Sequence, residues 1–301
     1  MELEKQLFSA CQFQKVEEVK TLLQNPQINV NWQNGGRTAF FIACAFGKVE
    51  IVKLLLSDER VDVNKTSKNG DTPFYVAGQN GQTEVLKLLV NDERVKKTQT
   101  PNDCWAYLWI ACNDGDTETV KLLLKDERVN INHSNQHGAT LLYVSCFEGK
   151  TDIVKLLLND KRIEPDLGTN YGFTPFSVAC QNGHLEIVKL LLNEKKVNIN
   201  KETDDNATPF YFACQEGQLE IVKLLLASER EVDINGKGKG KSGIDIARER
   251  GREGKREWES VEYAERKKRN CPKIVELIES FQWNKNETRS KLRKEFGLLG
   301  K

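Results

Sequence analysis

The stretch TPFSVACQNGHLEIVKLLL, residues 174–192, decides the architecture because close copies of it recur along the chain. The copies stay in phase, and one glycine marks their period of 34 residues: Gly47, Gly81, Gly115, Gly149, Gly183, Gly217 and Gly251. A degenerate copy precedes this series and a broken copy ends it. The sequence therefore predicts eight repeats, of which the first and the last are atypical.

Each copy has the pattern of two short helices joined by a turn. Thr174 and Pro175 combine an N-cap hydroxyl with a proline at the first helical position. The first helix then runs to Gly183, where left-handed backbone ends it. Glu186 lies in the first turn of the second helix, whose positive end favours an anion. Because so small a helical hairpin cannot bury its I-V-K-L-L-L face alone, neighbouring hairpins must stack, and the stack is the core.

The segments between the helical hairpins are expected to form projecting loops, which we call fingers. In DERVDVNKTSKNGD, residues 58–71, the alternation of Val61 and Val63 indicates short strands and Asn69-Gly70 indicates a tight turn. The pattern TPF-x-x-A-C-x-x-G-x-x-E-I-V-K-L-L-L followed by V-D-V-N resembles the ankyrin repeat, and the resemblance extends to about residue 281. It implies an all-α solenoid of stacked helix-turn-helix units with short β-hairpin finger loops. Asp-x-Arg-Val replaces the usual Gly-Ala of that family, so we expect the second helix to end differently.

The composition suits such an array better than one deep core. Hydrophobic residues make up 39% and charged residues 30% of 301 residues. Residues 236–301 contain 19 Lys/Arg against 11 Asp/Glu, whereas residues 1–235 contain 26 against 33. We therefore expect an acidic repeat array over residues 1–235, with seven repeats of which the first is degenerate. An atypical, basic C-terminal capping repeat follows over residues 236–301.

The last repeat carries an insertion. Ala247 of its first helix and Ile274 of its second are 27 positions apart, against eight in the preceding repeat. The insertion, at about residues 252–270, is charged and helix-forming, and a basic tail follows it. It ends in a possible basic patch, Arg266, Lys267, Lys268 and Arg269. Such a patch binds nucleic acid or an anionic membrane, or serves as a nuclear import signal. The alternative is a solvated cap helix that protects the open end of the stack.

The cysteines and histidines indicate neither a metal site nor a cofactor site. Six of the eight cysteines share one position of the repeat: Cys11, Cys44, Cys112, Cys146, Cys180 and Cys214. Gly78 fills this position in the third repeat, so it is a small, packed position with reduced thiols. Cys104 replaces a turn glycine, and an exposed thiol there is the alternative to a buried one. His133 and His137 lack cysteines at zinc-ligand spacing. We expect no metal, no cofactor and no enzyme activity.

Two further observations bear on location. No window approaches the roughly 18 consecutive apolar residues of a membrane span, and the start MELEKQLFSACQF lacks the basic-then-apolar order of a secretory signal. We expect a monomer in the cytoplasm, with the nucleus as a further location.

The resemblance also implies where a partner binds. In the ankyrin family, partners usually contact the finger tips and the end of the first helix. Large side chains at these positions give the predicted partner-binding residues Phe46, Trp105, His137, Phe147, Tyr171 and Phe173. The hypothesis is an aromatic, mildly acidic groove over repeats four to six that recognises a protein segment with basic residues. The alternative is that these rings pack on neighbouring fingers.

Two functions therefore compete. The first is a non-catalytic scaffold or adaptor that binds a partner protein through the concave face and the finger loops. The second is a binder of nucleic acid or anionic membrane that uses the basic C-terminal region.

Overall fold

The computed structural model describes residues 1–96, 101–127, 129–255 and 259–298. Residues 256–258 of the predicted insertion and 299–301 of the predicted tail lie outside this description. The chain divides into two compact units, an N-terminal unit of Met1–Leu141 and a C-terminal unit of Leu142–Lys301. The predicted boundary at residues 235/236 separates an array from its cap and stays a prediction.

The N-terminal unit is built from consecutive helix pairs, one pair for each repeat. They are α1 (Glu2–Gln12) with α2 (Val16–Leu23), α3 (Ala39–Ala45) with α4 (Val49–Leu56), α5 (Pro73–Gln79) with α6 (Thr83–Asn91), and α7 (Pro101–Asp114) with α8 (Thr117–Leu123). A finger hairpin, β1 (Gln33–Asn34) antiparallel to β2 (Arg37–Thr38), precedes α3. The finger of repeat five has one bridge, between Ser134 and Thr140.

The C-terminal unit continues the pairs and ends in an additional helix. Its helices are α9 (Leu141–Phe147), which begins at the boundary, with α10 (Thr151–Asn159), α11 (Pro175–Asn182) with α12 (Leu185–Asn193), α13 (Pro209–Gln215) with α14 (Leu219–Ala227), α15 (Gly243–Arg252) with α16 (Val261–Trp283), and α17 (Lys285–Glu295). A second finger hairpin, β3 (Lys237–Gly238) antiparallel to β4 (Lys241–Ser242), precedes α15.

The caps and turns confirm the pattern of the repeat. The Thr174 hydroxyl accepts a hydrogen bond from the Ser177 N–H, and Thr72 and Thr208 cap α5 and α13 in the same way. Gly183 ends α11 in the left-handed conformation, with φ of 86°. Gly251 is the exception among the periodic glycines, because it lies inside α15 rather than after it.

The core of each unit lies between consecutive repeats. The first helices pack on one another, as α3 does on α1 and α5, and as α13 does on α11 and α15. All eight cysteines lie within the described residues, where they are buried and form no disulfide, which confirms the small packed position and shows that the exposed alternative for Cys104 is wrong. Burial raises the pKa of the Cys11 thiol to about 12, so that this thiol stays protonated at neutral pH.

The Asp-x-Arg-Val segment ends the second helix as a clamp between repeats. The Arg60 guanidinium donates to the carbonyl oxygens of Leu23, the last residue of α2, at 2.8 Å and of Asn25, just after that helix, at 3.0 Å. Asp58 holds Arg60 in place, and their hydrogen bond lowers the pKa of Asp58. The cation therefore satisfies carbonyl groups that a helix end leaves free.

The expected strands at Val61 and Val63 are wrong. Both side chains are buried, but the backbone here is not paired with another strand. Instead, the Asn31 carboxamide of the preceding repeat donates to the Arg60 carbonyl at 2.7 Å and accepts from the Asp62 N–H at 2.7 Å. A side-chain amide thus takes the place of a neighbouring strand.

The last repeat has a long second helix and is followed by an additional helix. The end of the predicted insertion, residues 261–270, forms the first turns of α16, which then runs through the predicted second-helix residue Ile274. The tail forms α17, which packs on α14 and α16 and buries Thr288 and Leu292. Arg289 donates through Nε to the Leu226 carbonyl at 3.3 Å. The tail therefore docks back onto its own repeat array.

Candidate partner-binding groove

An aromatic cavity lies between the fingers and the first helices of repeats six to eight in the C-terminal unit. The Phe173 and Phe212 rings are 5.0 Å apart between centroids, and Tyr211 packs edge-on against Phe212 at 5.7 Å. They line a cavity of about 400 Å³ together with the ends of the first helices, Gln181 and Gln215. The finger loops therefore enclose an apolar floor at the start of α11 and α13.

A second cavity, of about 710 Å³, adjoins the far end of the same helices. Its lining residues come from the turns of repeats six and seven and from the inserted segment: Gln181, Asn182, His184, Gln215, Glu216, Gln218, Glu259, Ser260, Tyr263 and Arg266. Gln181 and Gln215 line both cavities, so the apolar cavity and the polar cavity adjoin at the ends of α11 and α13, and together we treat them as one groove with an apolar end and a polar end. We call it the Phe173–Arg266 groove.

The two most exposed of the predicted anchors in this unit, Tyr171 and Phe147, line neither cavity, but their backbone adjoins residues at the groove. Tyr171 is 70% exposed at the tip of the sixth finger, where its carbonyl accepts a hydrogen bond from the Asp204 N–H. Phe147 is 47% exposed at the end of α9. The side chains of Asn182 and His184 both contact the Phe147 carbonyl oxygen at 3.0 Å, which fixes the backbone beneath that ring.

Most charges at the apolar end of the groove are paired with one another. Lys239 lies 3.5 Å from Asp205, which joins the tips of the seventh and eighth fingers. Lys241 pairs with Glu249, and Arg250 pairs with Glu253 at 2.7 Å. Charged neighbours therefore rim the aromatic floor without giving it a strong net charge.

The polar end is built by the first turns of α16. The Tyr263 hydroxyl donates to Glu216, and the pKa of Tyr263 is raised, first by burial and then by this hydrogen bond. Lys267 and Glu259 form an ion pair that is buried on both sides. Arg266 stacks over the Tyr263 ring with its guanidinium carbon 5.0 Å from the centroid.

These contacts correct the predicted basic patch. Lys267 is buried against Glu259, so it does not belong to an exposed patch, and Arg266 is partly covered by its stacking on Tyr263. Lys268 and Arg269 are exposed, as predicted. The exposed residues of α16 nevertheless include acids that alternate with the bases, namely Glu262, Glu265, Glu276 and Glu279. The α16 surface therefore carries both signs of charge.

In the N-terminal unit, the expectation that Trp105 is exposed at a finger tip is wrong. The helix α7 begins at Pro101, so helical turns stand where repeats two and eight have a finger hairpin. Trp105 is only 1% exposed. Its indole N–H donates to the His133 carbonyl at 3.1 Å, and its ring lies 5.5 Å from that of Trp109. For this residue, the alternative of packing inside the stack is confirmed.

The fifth finger reaches across repeat four to repeat three. The Gln136 N–H donates to the Gln79 carbonyl at 2.8 Å. The Gln79 side chain contacts His133 Nε2 at 2.7 Å and donates to the Ser134 carbonyl at 3.3 Å, while Tyr75 contacts His133 Nε2 at 3.1 Å. Burial lowers the pKa of His133. We call Tyr75, Gln79, Trp105 and His133 the Gln79 cluster.

The remaining predicted site residues of the N-terminal unit are exposed. Phe46 is 51% exposed and lines a cavity of about 280 Å³ with Phe8, Arg37 and Ile42. His137 is exposed at the tip of the fifth finger. His133 is half-buried against Gln79, whereas His137 is exposed. Across the described ranges, no group of His, Cys, Asp and Glu is arranged to hold a metal ion.

The repeat seen in the structure has a match among known protein families. Three copies of a family model described as ankyrin repeats match residues 7–101, 95–169 and 161–238. The chain belongs to the ankyrin-repeat family. Ankyrin repeats generally serve as protein–protein interaction modules and are typically non-catalytic, and this chain shares their all-α solenoid fold. No curated protein matches the chain.

Of the helices within the described residues, none is both long and apolar enough to span a bilayer.

The aromatic groove residues Tyr211, Phe212 and Tyr263 are not among those predicted from the sequence. Phe212 occupies a position of the first helix that is aliphatic in the other copies, as at Val144 and Val178, and this departure was an available signal. Tyr263 lies in the insertion, where the ankyrin period gives no register. Its place beside Glu216 follows only from the packing of α16 on α13.

Proposed function

We propose that the chain is a scaffold or adaptor that binds a partner protein in the Phe173–Arg266 groove. The observation that carries the proposal is the aromatic floor of Phe173 and Phe212 beside the exposed ring of Tyr171. Aromatic side chains dominate the energetics of protein interfaces because they bury large areas at a small cost in conformational entropy. In an ankyrin protein, this is also the side on which partners usually bind.

The polar surroundings of the floor support the same proposal. Gln181 places its amide group along the groove, where it can bond to the main chain of a bound segment, whereas the Gln215 and Gln218 amides donate to Glu216 and to the Gln181 carbonyl. A groove with an apolar floor and a polar rim is the usual anatomy of a protein interface. The proposal places the chain in the cytoplasm, with the nucleus as a further location, and assigns it a monomeric state. Buried thiols that form no disulfide within the described residues suit those compartments.

The experiment is affinity capture with the intact chain as bait, followed by quantitative mass spectrometry. The test variant is Tyr171→Ala, and the matched control is Trp283→Ala, because Trp283 is 93% exposed and lies outside the groove. We expect recovery of the specific partners to fall about tenfold with Tyr171→Ala, as for an interface hot spot, and to stay unchanged with Trp283→Ala. Equal recovery with both variants contradicts the proposal.

Binding of nucleic acid through the basic C-terminal region remains the competing prediction, and a salt titration separates it from protein binding. Binding to phosphates loses affinity steeply as ionic strength rises. A filter-binding titration with duplex DNA, using the intact chain and a Lys268→Gln, Arg269→Gln variant, tests it directly. Salt-sensitive binding that is weakened in the variant favours the competing function.

A further inference from the structure

We propose that the Phe173–Arg266 groove selects a partner segment with a carboxylate about four residues from an apolar side chain, and that Arg266 binds the carboxylate. The inference rests on the proposed function and adds the chemistry of the partner. It departs from the expectation of a mildly acidic groove for basic segments, because Glu216 is buried beneath Tyr263.

The position of Arg266 is fixed by the inserted turns of α16. Ser260 caps this helix by accepting from the Tyr263 N–H. Two turns after Tyr263, Asn270 donates to the Gly217 carbonyl at 2.9 Å, and Tyr263 itself is bonded to Glu216. These contacts tie the start of α16 to the turn of repeat seven. Because residues three apart lie on one face of a helix, Arg266 stacks on Tyr263 and lines the groove with it.

Charge complementarity identifies the ligand. The charged residues that line the polar end of the groove are Glu216, Glu259 and Arg266, and Lys267 is buried against Glu259. Three of these four are buried and have partners on this chain: Glu216 accepts from Tyr263, and Glu259 pairs with Lys267. The guanidinium of Arg266 is different. Within the described residues it forms no ion pair, and its Nε is buried without an acceptor. The accessible charge at this end of the groove is therefore positive.

A carboxylate is the group that fits this donor. The Tyr263 ring covers one face of the guanidinium, whereas its N–H groups lie in the plane of the group and are not used by the stacking. The planar fork of N–H groups matches the two oxygens of a carboxylate, and the hydrogen bonds are strengthened by charge. An Asp or Glu of the partner supplies these oxygens.

The dimensions of α11 set the spacing in the partner. Phe173 directly precedes the Thr174 cap, and Gln181 lies near the other end of the helix. Six helical steps from Pro175 to Gln181 at a rise of about 1.5 Å, preceded by two extended steps of about 3.3 Å, give at most about 16 Å from Phe173 to Gln181, which lines the polar end together with Arg266. An extended chain advances about 3.3 Å per residue, so about four residues separate the two anchors. The Gln181 carboxamide forms no hydrogen bond with other described side chains and can bond to the main chain between them.

The test uses synthetic peptides of about twelve residues in a Gly/Ser background. Each peptide carries one Phe and one Glu, at separations from adjacent to about seven residues in both chain directions, and has a twin with Gln in place of Glu. Fluorescence anisotropy measures their binding to the intact chain. We expect the preference for Glu over Gln to reach about tenfold at a separation of about four, as for a hydrogen-bonded charge. Equal binding of the twins at every separation, or no binding by any peptide, overturns the inference.

Variants of α16 assign the preference to Arg266. Arg266→Gln abolishes the preference for Glu and leaves binding of the Gln twins unchanged, whereas Arg266→Lys retains only part of it because the fork is lost. The matched control Lys268→Gln removes an exposed base of the same helix and keeps the full preference. Circular dichroism and urea unfolding of each variant verify that its fold is intact. A preference that survives in Arg266→Gln overturns the inference.

Tyr171→Ala separates failure of this inference from failure of the proposed function. If the peptides bind in the groove, the variant weakens the Glu peptides and their Gln twins alike. Twins that bind equally to the unmodified chain but are both weakened by Tyr171→Ala contradict the role of Arg266 and leave the proposed function standing. Peptides whose binding is unaffected by Tyr171→Ala contradict the proposed function itself.

Discussion

Gln79 and Gln181 occupy the same position of the repeat, three repeats apart, yet their surroundings differ. In the N-terminal unit, the Gln79 side chain bonds to His133 and to the Ser134 carbonyl, both from the fifth finger. In the C-terminal unit, the Gln181 side chain lines a groove between the fingers and the inserted helix. The same repeat position is therefore covered by a finger in the N-terminal unit, whereas in the C-terminal unit it borders an open groove.

The difference originates in the fourth repeat. Its α7 begins early, at Pro101, and replaces the finger hairpin with helical turns that bury Trp105. The fifth finger then contacts repeat three directly, through Gln136 and Gln79. In the C-terminal unit, the β3–β4 finger of repeat eight is kept, and the aromatic floor stays between the fingers and α11 and α13. Replacement of the finger hairpin by helical turns thus buries the surface in repeat four that stays open in the C-terminal unit.

The largest expected effect is a difference in stability between variants of Trp105 and Tyr171, two residues that the sequence predicts to bind a partner. Trp105→Ala removes a buried ring from the Gln79 cluster and should lower the free energy of unfolding by about 3–5 kcal/mol. Tyr171→Ala, at an exposed position, should change it by less than about 0.5 kcal/mol. Urea unfolding followed by circular dichroism measures both. Comparable losses would show that the two rings do not differ in burial.

The polar end of the groove in the C-terminal unit depends on a buried ion pair. Lys267→Met leaves the Glu259 carboxylate without its ammonium partner and should cost about 3 kcal/mol of stability. A second substitution, Glu259→Gln, removes the buried charge and should recover most of that loss. A double variant as unstable as Lys267→Met would contradict the ion pair. Denaturant midpoints at neutral pH provide the comparison.

Acid should weaken the N-terminal unit through His133. Burial holds the pKa of this imidazole below 6.5, so the unfolded chain binds a proton that the folded cluster resists. The contribution of neutral His133 to the free energy of unfolding is therefore fully present above pH 6.5. This contribution decreases as the pH falls below 6.5. Unfolding at a series of pH values should show that His133→Gln removes part of this dependence. His137→Gln, at an exposed tip, is the control, and an equal change in both variants would refute the assignment.

The repeat frame could be predicted from the sequence because each of its features repeats. The Thr174 cap, the Gly183 turn and the cysteine position all have in-phase copies, and the structure confirms them. The burial of Trp105 could not be predicted in the same way. It depends on where α7 begins and on a contact with His133 in the next repeat, and neither has a copy elsewhere in the chain.

The groove could be predicted only in part for a similar reason. The position of Tyr171 and Phe173 at the sixth finger follows from the period of the repeat. The polar end is formed by the insertion, which has no counterpart in the other repeats. The burial of Lys267 and the stacking of Arg266 on Tyr263 could therefore not be predicted from the repeat period and are seen only in the structure. A run of four basic residues on a helix points in several directions, and only the packing decides which of them stay exposed.

The unfolding free energies of Gln79→Ala and Gln181→Ala test most directly the claim that the same position is closed in one unit and open in the other. We predict a loss of about 1–2 kcal/mol for Gln79→Ala, because the buried side of His133 and the Ser134 carbonyl lose their partner. For Gln181→Ala we predict a change of less than about 0.5 kcal/mol. Equal losses, or a larger loss for Gln181→Ala, would contradict the account.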